Sequence, residues 1–105
     1  MLDHYIVNFF AGVFICNCIP HLVSGLRGDA FPTPFARPPG AGLSSPLTNF
    51  LWGTLNAVVG VALIAFRPIV LRVNFETIAF LLGFMLIGIY LAIHFGKVRN
   101  NNTSK

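Results

Sequence analysis

The sequence predicts an all-α membrane protein: three transmembrane helices in a compact bundle, with a proline-rich loop between helices 1 and 2. Three observations carry this expectation. Charged residues make up 10% of the 105-residue chain and hydrophobic residues 55%, whereas a soluble domain uses roughly 25% charged residues to clothe its surface. Residues 4–26, 38–66 and 77–96 contain no Asp, Glu, Lys or Arg, and about 20 residues of helix cross a hydrocarbon core of ~30 Å. These stretches are mostly Leu, Ile, Val, Phe, Ala and Gly, and lipid offers bare backbone no hydrogen bonds, so a spanning segment of this kind must be helical. A chain of this length forms one domain at most. The net charge of +4, from seven Lys/Arg against three Asp/Glu, makes no dense basic face and argues against nucleic-acid binding. It fits instead the basic loops of a membrane protein.

Residues 1–105 are thus read as a single membrane domain. Helix 1 covers about 4–26, a Pro/Gly-rich loop 27–45, helix 2 about 46–66, a short loop 67–74, helix 3 about 75–96, and a polar tail 97–105. The start of the chain, Met1-Leu2-Asp3-His4, has no basic residue, and no clean small-x-small site follows the apolar run, so helix 1 is expected to be an uncleaved span. Ser45 before Pro46 is an N-cap followed by a first-turn proline. Arg67-Pro68 closes helix 2, because a residue before proline leaves the helical region. Asn74 caps helix 3, with Glu76 in its first turn, and Gly96 with Lys97 and Arg99 reads as a helix stop. Counting Lys/Arg, the first loop and the C-terminus hold Arg27, Arg37, Lys97, Arg99 and Lys105, against Arg67 and Arg72 on the other side. The positive-inside rule then places the N-terminus outside and the C-terminus in the cytoplasm.

Residues 31–46 hold five prolines and two glycines, which forbids a regular helix or a central strand. Two readings are open: a re-entrant, ligand-covering or partner-docking segment, or a stiff connector with Phe31 and Phe35 at headgroup depth. The pattern His21-x-x-x-Gly25-x-x-Gly28-x-x-Phe31-Pro32-Thr33-Pro34-Phe35, followed by Pro38-Pro39-Gly40-x-Gly42-Leu43-Ser44-Ser45 and Leu51-Trp52-Gly53, resembles a family of small bacterial integral membrane proteins described only as uncharacterised. The resemblance covers residues 17–60. It implies a bacterial membrane location and a three- or four-helix build, and supplies no activity and no catalytic residues; the expected location is the bacterial plasma (inner) membrane.

Polar residues inside spans usually face the bundle. In helix 1, Asn17, His21 and Ser24 share one face beside Pro20, which removes a backbone hydrogen bond. His21 and His94 should lie near one membrane surface, and if helices 1 and 3 are neighbours the two meet with Asn17, Ser24 and Tyr90 around them. The plainer alternative is two unrelated histidines at the interface. In helix 2, Asn49, Gly53, Asn56 and Gly60 form a packing stripe of small and amide residues, and Trp52 is an interfacial anchor. In helix 3, Glu76, Phe80, Gly83, Ile87, Tyr90 and His94 share a face, and an ion pair of Glu76 with Arg67 or Arg72 is the expected use of that acid. Cys16 and Cys18, two apart on a helix, cannot bridge each other.

No phosphate loop, paired carboxylates or metal spacing occurs, and a triad built from one helix turn is poor geometry. The expectation is therefore not an enzyme: no catalytic residues, no metal and no cofactor. The leading reading is a non-catalytic accessory or structural subunit, whose partners are membrane lipids and either further copies of itself in a homo-oligomer or a larger membrane protein. One alternative is a module that binds or transports a small ligand, haem, quinone or proton on its polar helix faces; the other is a membrane enzyme.

Overall fold

The computed structural model describes residues Leu2–Thr103. Helix α1 runs over Leu2–Arg27, α2 over Pro46–Phe66 and α3 over Phe75–Thr103, and each is long and apolar enough to cross a membrane. Local chemistry sets their ends. The Ser45 hydroxyl accepts from the Thr48 N–H at 3.1 Å, with Pro46 in the first turn, where a missing N–H costs nothing. The Arg67 N–H closes α2 on the Leu63 carbonyl at 3.0 Å. The Asn74 side chain accepts from the Thr77 N–H at 2.8 Å and donates back to the Val70 carbonyl at 2.9 Å.

Helix α1 passes through Pro20 and ends on Gly28, whose φ of 77° is the left-handed conformation that a Cβ disfavours. The Gly28 N–H reaches the Gly25 carbonyl at 3.1 Å and the Asp29 N–H reaches the Ser24 carbonyl at 2.8 Å. Those two bonds are the paired closure of a Schellman motif. At the other end of the chain the structure corrects the sequence reading. Helix α3 does not stop at Gly96, and the expected tail over 97–105 is helical through Thr103. Gly96 does not adopt the positive φ that ends a helix, and Lys97, Val98 and Arg99 continue the ladder. Residues 104–105 of that tail lie outside the described residues.

The three helices form a compact bundle with α1 in the middle: α1 packs along both α2 and α3, which share no comparable seam with each other. The overall dimensions are 49 × 23 × 20 Å. The distribution of residues is inverted relative to a soluble protein. Asn8, Ala11, Gly12, Cys16, Cys18, His21 and Ser24 are buried in α1, and Asn49, Gly53, Asn56 and Gly60 in α2, while Leu, Ile, Val and Phe cover the outside.

The proline-rich segment folds down over one end of this bundle. Strands β1 (Phe31–Pro32) and β2 (Leu43–Ser44) pair antiparallel, Phe31 opposite Ser44 and Pro32 opposite Leu43. This two-residue ladder is too short to contradict the prohibition on a central strand, and it closes the loop at its base. Thr33, 1% exposed, organises the interior. Its carbonyl accepts from the Ala36 and Gly40 N–H groups at 3.2 and 2.9 Å, and its hydroxyl meets that of Ser44 at 2.5 Å.

Candidate functional site

The chemistry-bearing side chains collect where α1, α2, the end of α3 and the loop meet. The stripe on α2 builds one wall. A Cβ on Gly53 would fall 2.9 Å from the Leu22 backbone N, and one on Gly60 would fall 2.6 Å from Ile15 Cδ1, so the missing side chains let α1 and α2 approach closely. The amides between these glycines bridge the helices. Asn17 donates to Asn56 Oδ1 at 2.9 Å, and Asn56 donates to the Trp52 carbonyl at 2.8 Å.

Asn49 is fully buried and is the hub. Its Nδ2 points at the carbonyls of Phe31, Ser44 and Ser45 at 2.9, 3.2 and 3.1 Å. One amide thereby ties the loop base to the first turn of α2. Its Oδ1 lies 2.8 Å from His21 Nδ1. Because Nδ2 is committed to carbonyls, Oδ1 is an acceptor, and His21 Nδ1 must carry the proton. In the neutral imidazole, Nε2 is then a lone pair.

His21 is 2% exposed and sits in an aromatic box. Phe31, Trp52 and Phe95 present edges or faces to it at centroid distances of 5.6, 6.4 and 6.3 Å. Beside it opens a half-enclosed cavity of about 180 Å³, to which Asn17, His21, Trp52, Tyr90, His94 and Phe95 contribute. The loop forms the roof through Pro32, Thr33, Pro34 and Gly40. His94 holds that roof, its Nε2 donating to the Gly40 carbonyl at 2.7 Å, while the Tyr90 ring stacks on it at 5.8 Å. The Trp52 indole N–H is buried with no hydrogen-bond partner. A second, larger cleft of about 570 Å³ lies on the outer side of the loop, lined by Ser24, Arg27, Asp29, Phe95 and Arg99 among others. There Arg27 is already engaged with Asp29 at 2.6 Å.

Of the polar residues expected to cluster, Asn17, His21, Tyr90 and His94 line one cavity, with Phe95 packed between the two imidazoles. Ser24 does not join them; it is buried facing the second cleft. Asn49, Gly53, Asn56 and Gly60 all lie buried along α1. The expected ion pair needs correction. Arg67 pairs with Asp3 at 2.8 Å, and among the described residues no ion pair joins Glu76 to Arg67 or Arg72. The first turn of α1 stands beside the end of α2, where Asn8 also donates to the Arg67 carbonyl at 2.9 Å. A carboxylate on a neighbouring helix therefore reaches the guanidinium where one across the short loop does not.

Three contributors were not singled out from the sequence. Asn8 carries the same signal as Asn17, a lone amide in a charge-free span. Thr33 and Phe95 carry none, because a threonine between prolines and a phenylalanine in an apolar run look ordinary until the loop folds onto α3. No family model, curated protein or solved structure matches this chain.

Proposed function

We propose that this protein crosses a bacterial inner membrane three times, N-terminus outside and C-terminus in the cytoplasm, and acts there as a non-catalytic accessory or structural subunit. The observation that carries the reading is the inverted packing. The buried seams are built from Gly, Asn, His and Ser, and the exposed surface from Leu, Ile, Val and Phe. In water such a surface would be driven to associate. In hydrocarbon it is the resting state, because lipid tails are as apolar as the side chains and helices join through close approach and hydrogen bonds.

The amides in the seams support a structural use. Asn8, Asn17, Asn49 and Asn56 each spend a donor on a partner within the chain. Helix α3 has only 6% of its apolar window covered by this chain, against 33% for α1, which leaves room on it for a partner as well as for lipid; the subunit role fills part of that room. A further copy of the chain or a larger membrane protein covers part of that face.

Reporter fusions after Arg37, Arg72 and Lys105 test the topology. A cytoplasmic reporter should work at Arg37 and Lys105 and an external one at Arg72; the opposite pattern inverts the orientation. The native mass of particles released in mild detergent tests the subunit role. A mass of one chain with detergent and lipid alone contradicts it.

A further inference from the structure

The larger cleft, on the outer side of the loop, lies where two charge-free runs end. Arg27 follows the run 4–26 and Lys97 follows the run 77–96. On the membrane location proposed above, this is the level at which hydrocarbon gives way to headgroups. Helix α1 brings Arg27 to the cleft, the loop brings Asp29, Phe31 and Leu43, and the end of α3 brings Phe95 and Arg99. The volume of about 570 Å³ falls within the roughly 300–1,000 Å³ of small-molecule sites. Its lining is graded along α3. Phe95 and Arg99 are four residues apart, so they share a face about one turn apart. The helix leaves its apolar run here, which puts the ring deeper and the arginine nearer water.

Three features of the cleft are not used in packing. Arg99 is exposed, and its guanidinium makes no hydrogen bond or ion pair among the described residues. The charges of the lining do not cancel: Arg27 is taken up by Asp29, and Arg99 leaves a surplus of one positive charge. Gly96, also in the lining, lies inside a helix that runs on to Thr103. Glycine is disfavoured in such a position. Its backbone angle does not require glycine, and a Cβ there would meet nothing within 4 Å. No neighbouring segment needs the space, so the missing side chain serves to keep the cleft open.

We propose that the cleft holds one anionic phospholipid, its phosphate on Arg99 at the mouth and an acyl chain running past Gly96 and Phe95 into the surrounding lipid. A phosphodiester carries one negative charge, which balances the surplus of the cleft. A guanidinium also donates two parallel bonds to a phosphate. A zwitterionic headgroup adds a cation to a site that is already positive. Free phosphate shares the anion chemistry but leaves the apolar wall uncovered. The proposal rests on the membrane location and not on the orientation or the subunit role.

Native mass spectrometry of the delipidated full chain in detergent tests it, titrated with palmitoyl-oleoyl phosphatidylglycerol, with the matching phosphatidylcholine, and with inorganic phosphate as competitor. The expected result is one retained phosphatidylglycerol per chain, bound about tenfold more tightly than phosphatidylcholine, the worth of a charge-assisted hydrogen bond in an equilibrium constant. Arg99→Gln should erase that preference and leave phosphatidylcholine binding unchanged. Arg37→Gln removes the same charge from the loop but outside the cleft lining, and should leave the preference intact. Gly96→Leu suits the helix and fills the cleft, so it should weaken both lipids about tenfold. Equal affinity for the two lipids, an equal loss in Arg37→Gln, full retention in Gly96→Leu, or displacement of the lipid by phosphate overturns the proposal. The membrane location fails separately, by release of the protein from membranes in alkaline carbonate without detergent.

Discussion

Helix α1 meets its two neighbours by different means. Against α2 the seam is directional: His21 to Asn49, Asn17 to Asn56, with Gly53 and Gly60 between them. Against α3, no side-chain hydrogen bond crosses among the described residues. Contact comes from backbone approach, where a Cβ on Gly12 would stand 2.9 Å from the Phe84 N and one on Gly83 2.9 Å from the Phe9 carbonyl carbon. Both are solutions to the same problem. Burying apolar area gains little when the surroundings are equally apolar, so helices associate through van der Waals fit or through hydrogen bonds. The amide seam also holds the loop, since Asn49 belongs to both. The glycine seam holds only a helix.

The largest expected effect follows from the glycine seam, which has nothing soft to yield. Gly83→Leu sets a side chain against the Phe9 backbone, and overpacking of this kind costs about 3 kcal/mol or more where backbone must move. Helix α3 should detach, seen as a large fall in melting temperature in detergent and faster amide exchange along Phe75–Tyr90. A variant as stable as the parent would show that α3 is held elsewhere.

Next is Asn49→Leu. It strands the His21 Nδ1 proton and takes the side-chain donor from the Phe31 and Ser44 carbonyls, while the Ser45 carbonyl keeps the backbone N–H of residue 49; leaving buried polar groups unsatisfied costs about 1–3 kcal/mol. Unlike the glycine variant it should loosen the loop, with proteolysis appearing within 31–45. Protection of the loop in that variant would separate it from the amide seam.

Gly60→Leu should disturb the α1–α2 seam less than Gly83→Leu disturbs the other, because the first atoms it meets, Ile15 Cδ1 and Cγ1, belong to a side chain that can turn. About 1–3 kcal/mol is expected. Equal losses for the two variants, by the same unfolding assay, would erase the distinction between the seams.

A double-mutant cycle on Asn17→Leu and Asn56→Leu should return a coupling of about 0.6 kcal/mol, typical of hydrogen bonds between membrane helices. A coupling near zero would leave His21–Asn49 and the glycines to hold the α1–α2 seam. The smallest effect belongs to Asp3→Asn. The Asp3–Arg67 pair is solvent-exposed, so stability should barely move and the difference should vanish in high salt; a salt-independent loss would mean the pair is buried in the assembled protein.

Much of the fold is legible in the residues because its causes are local. Ser45-Pro46 opens α2 and Arg67-Pro68 closes it whatever surrounds them. The stripe Asn49, Gly53, Asn56, Gly60 reads as a packing face because helical spacing alone puts it on one side. The site is less legible. His21 stands out as an imidazole in a span, but nothing near it in sequence names Asn49, 28 positions away, as its partner. Gly96 reads as a stop because glycine usually ends helices. Whether it does so depends on a backbone angle that its neighbours settle.

By itself, then, the sequence determined three apolar helices, the caps at Ser45, Arg67 and Asn74 and the faces that turn inward, since a charge-free run in lipid must satisfy its own backbone and periodicity distributes its side chains. Tertiary structure decided which helix is central, since the α1 faces accept either neighbour by composition. It also decided that Arg67 meets Asp3 rather than Glu76, and that His94 holds the roof over the cavity through Gly40. Finally it decided which nitrogen of His21 carries the proton, because that is set by an amide whose own orientation is imposed by three carbonyls of the folded loop. Each of these is a pairing across the chain, and a pairing exists only once folding has brought its two halves together.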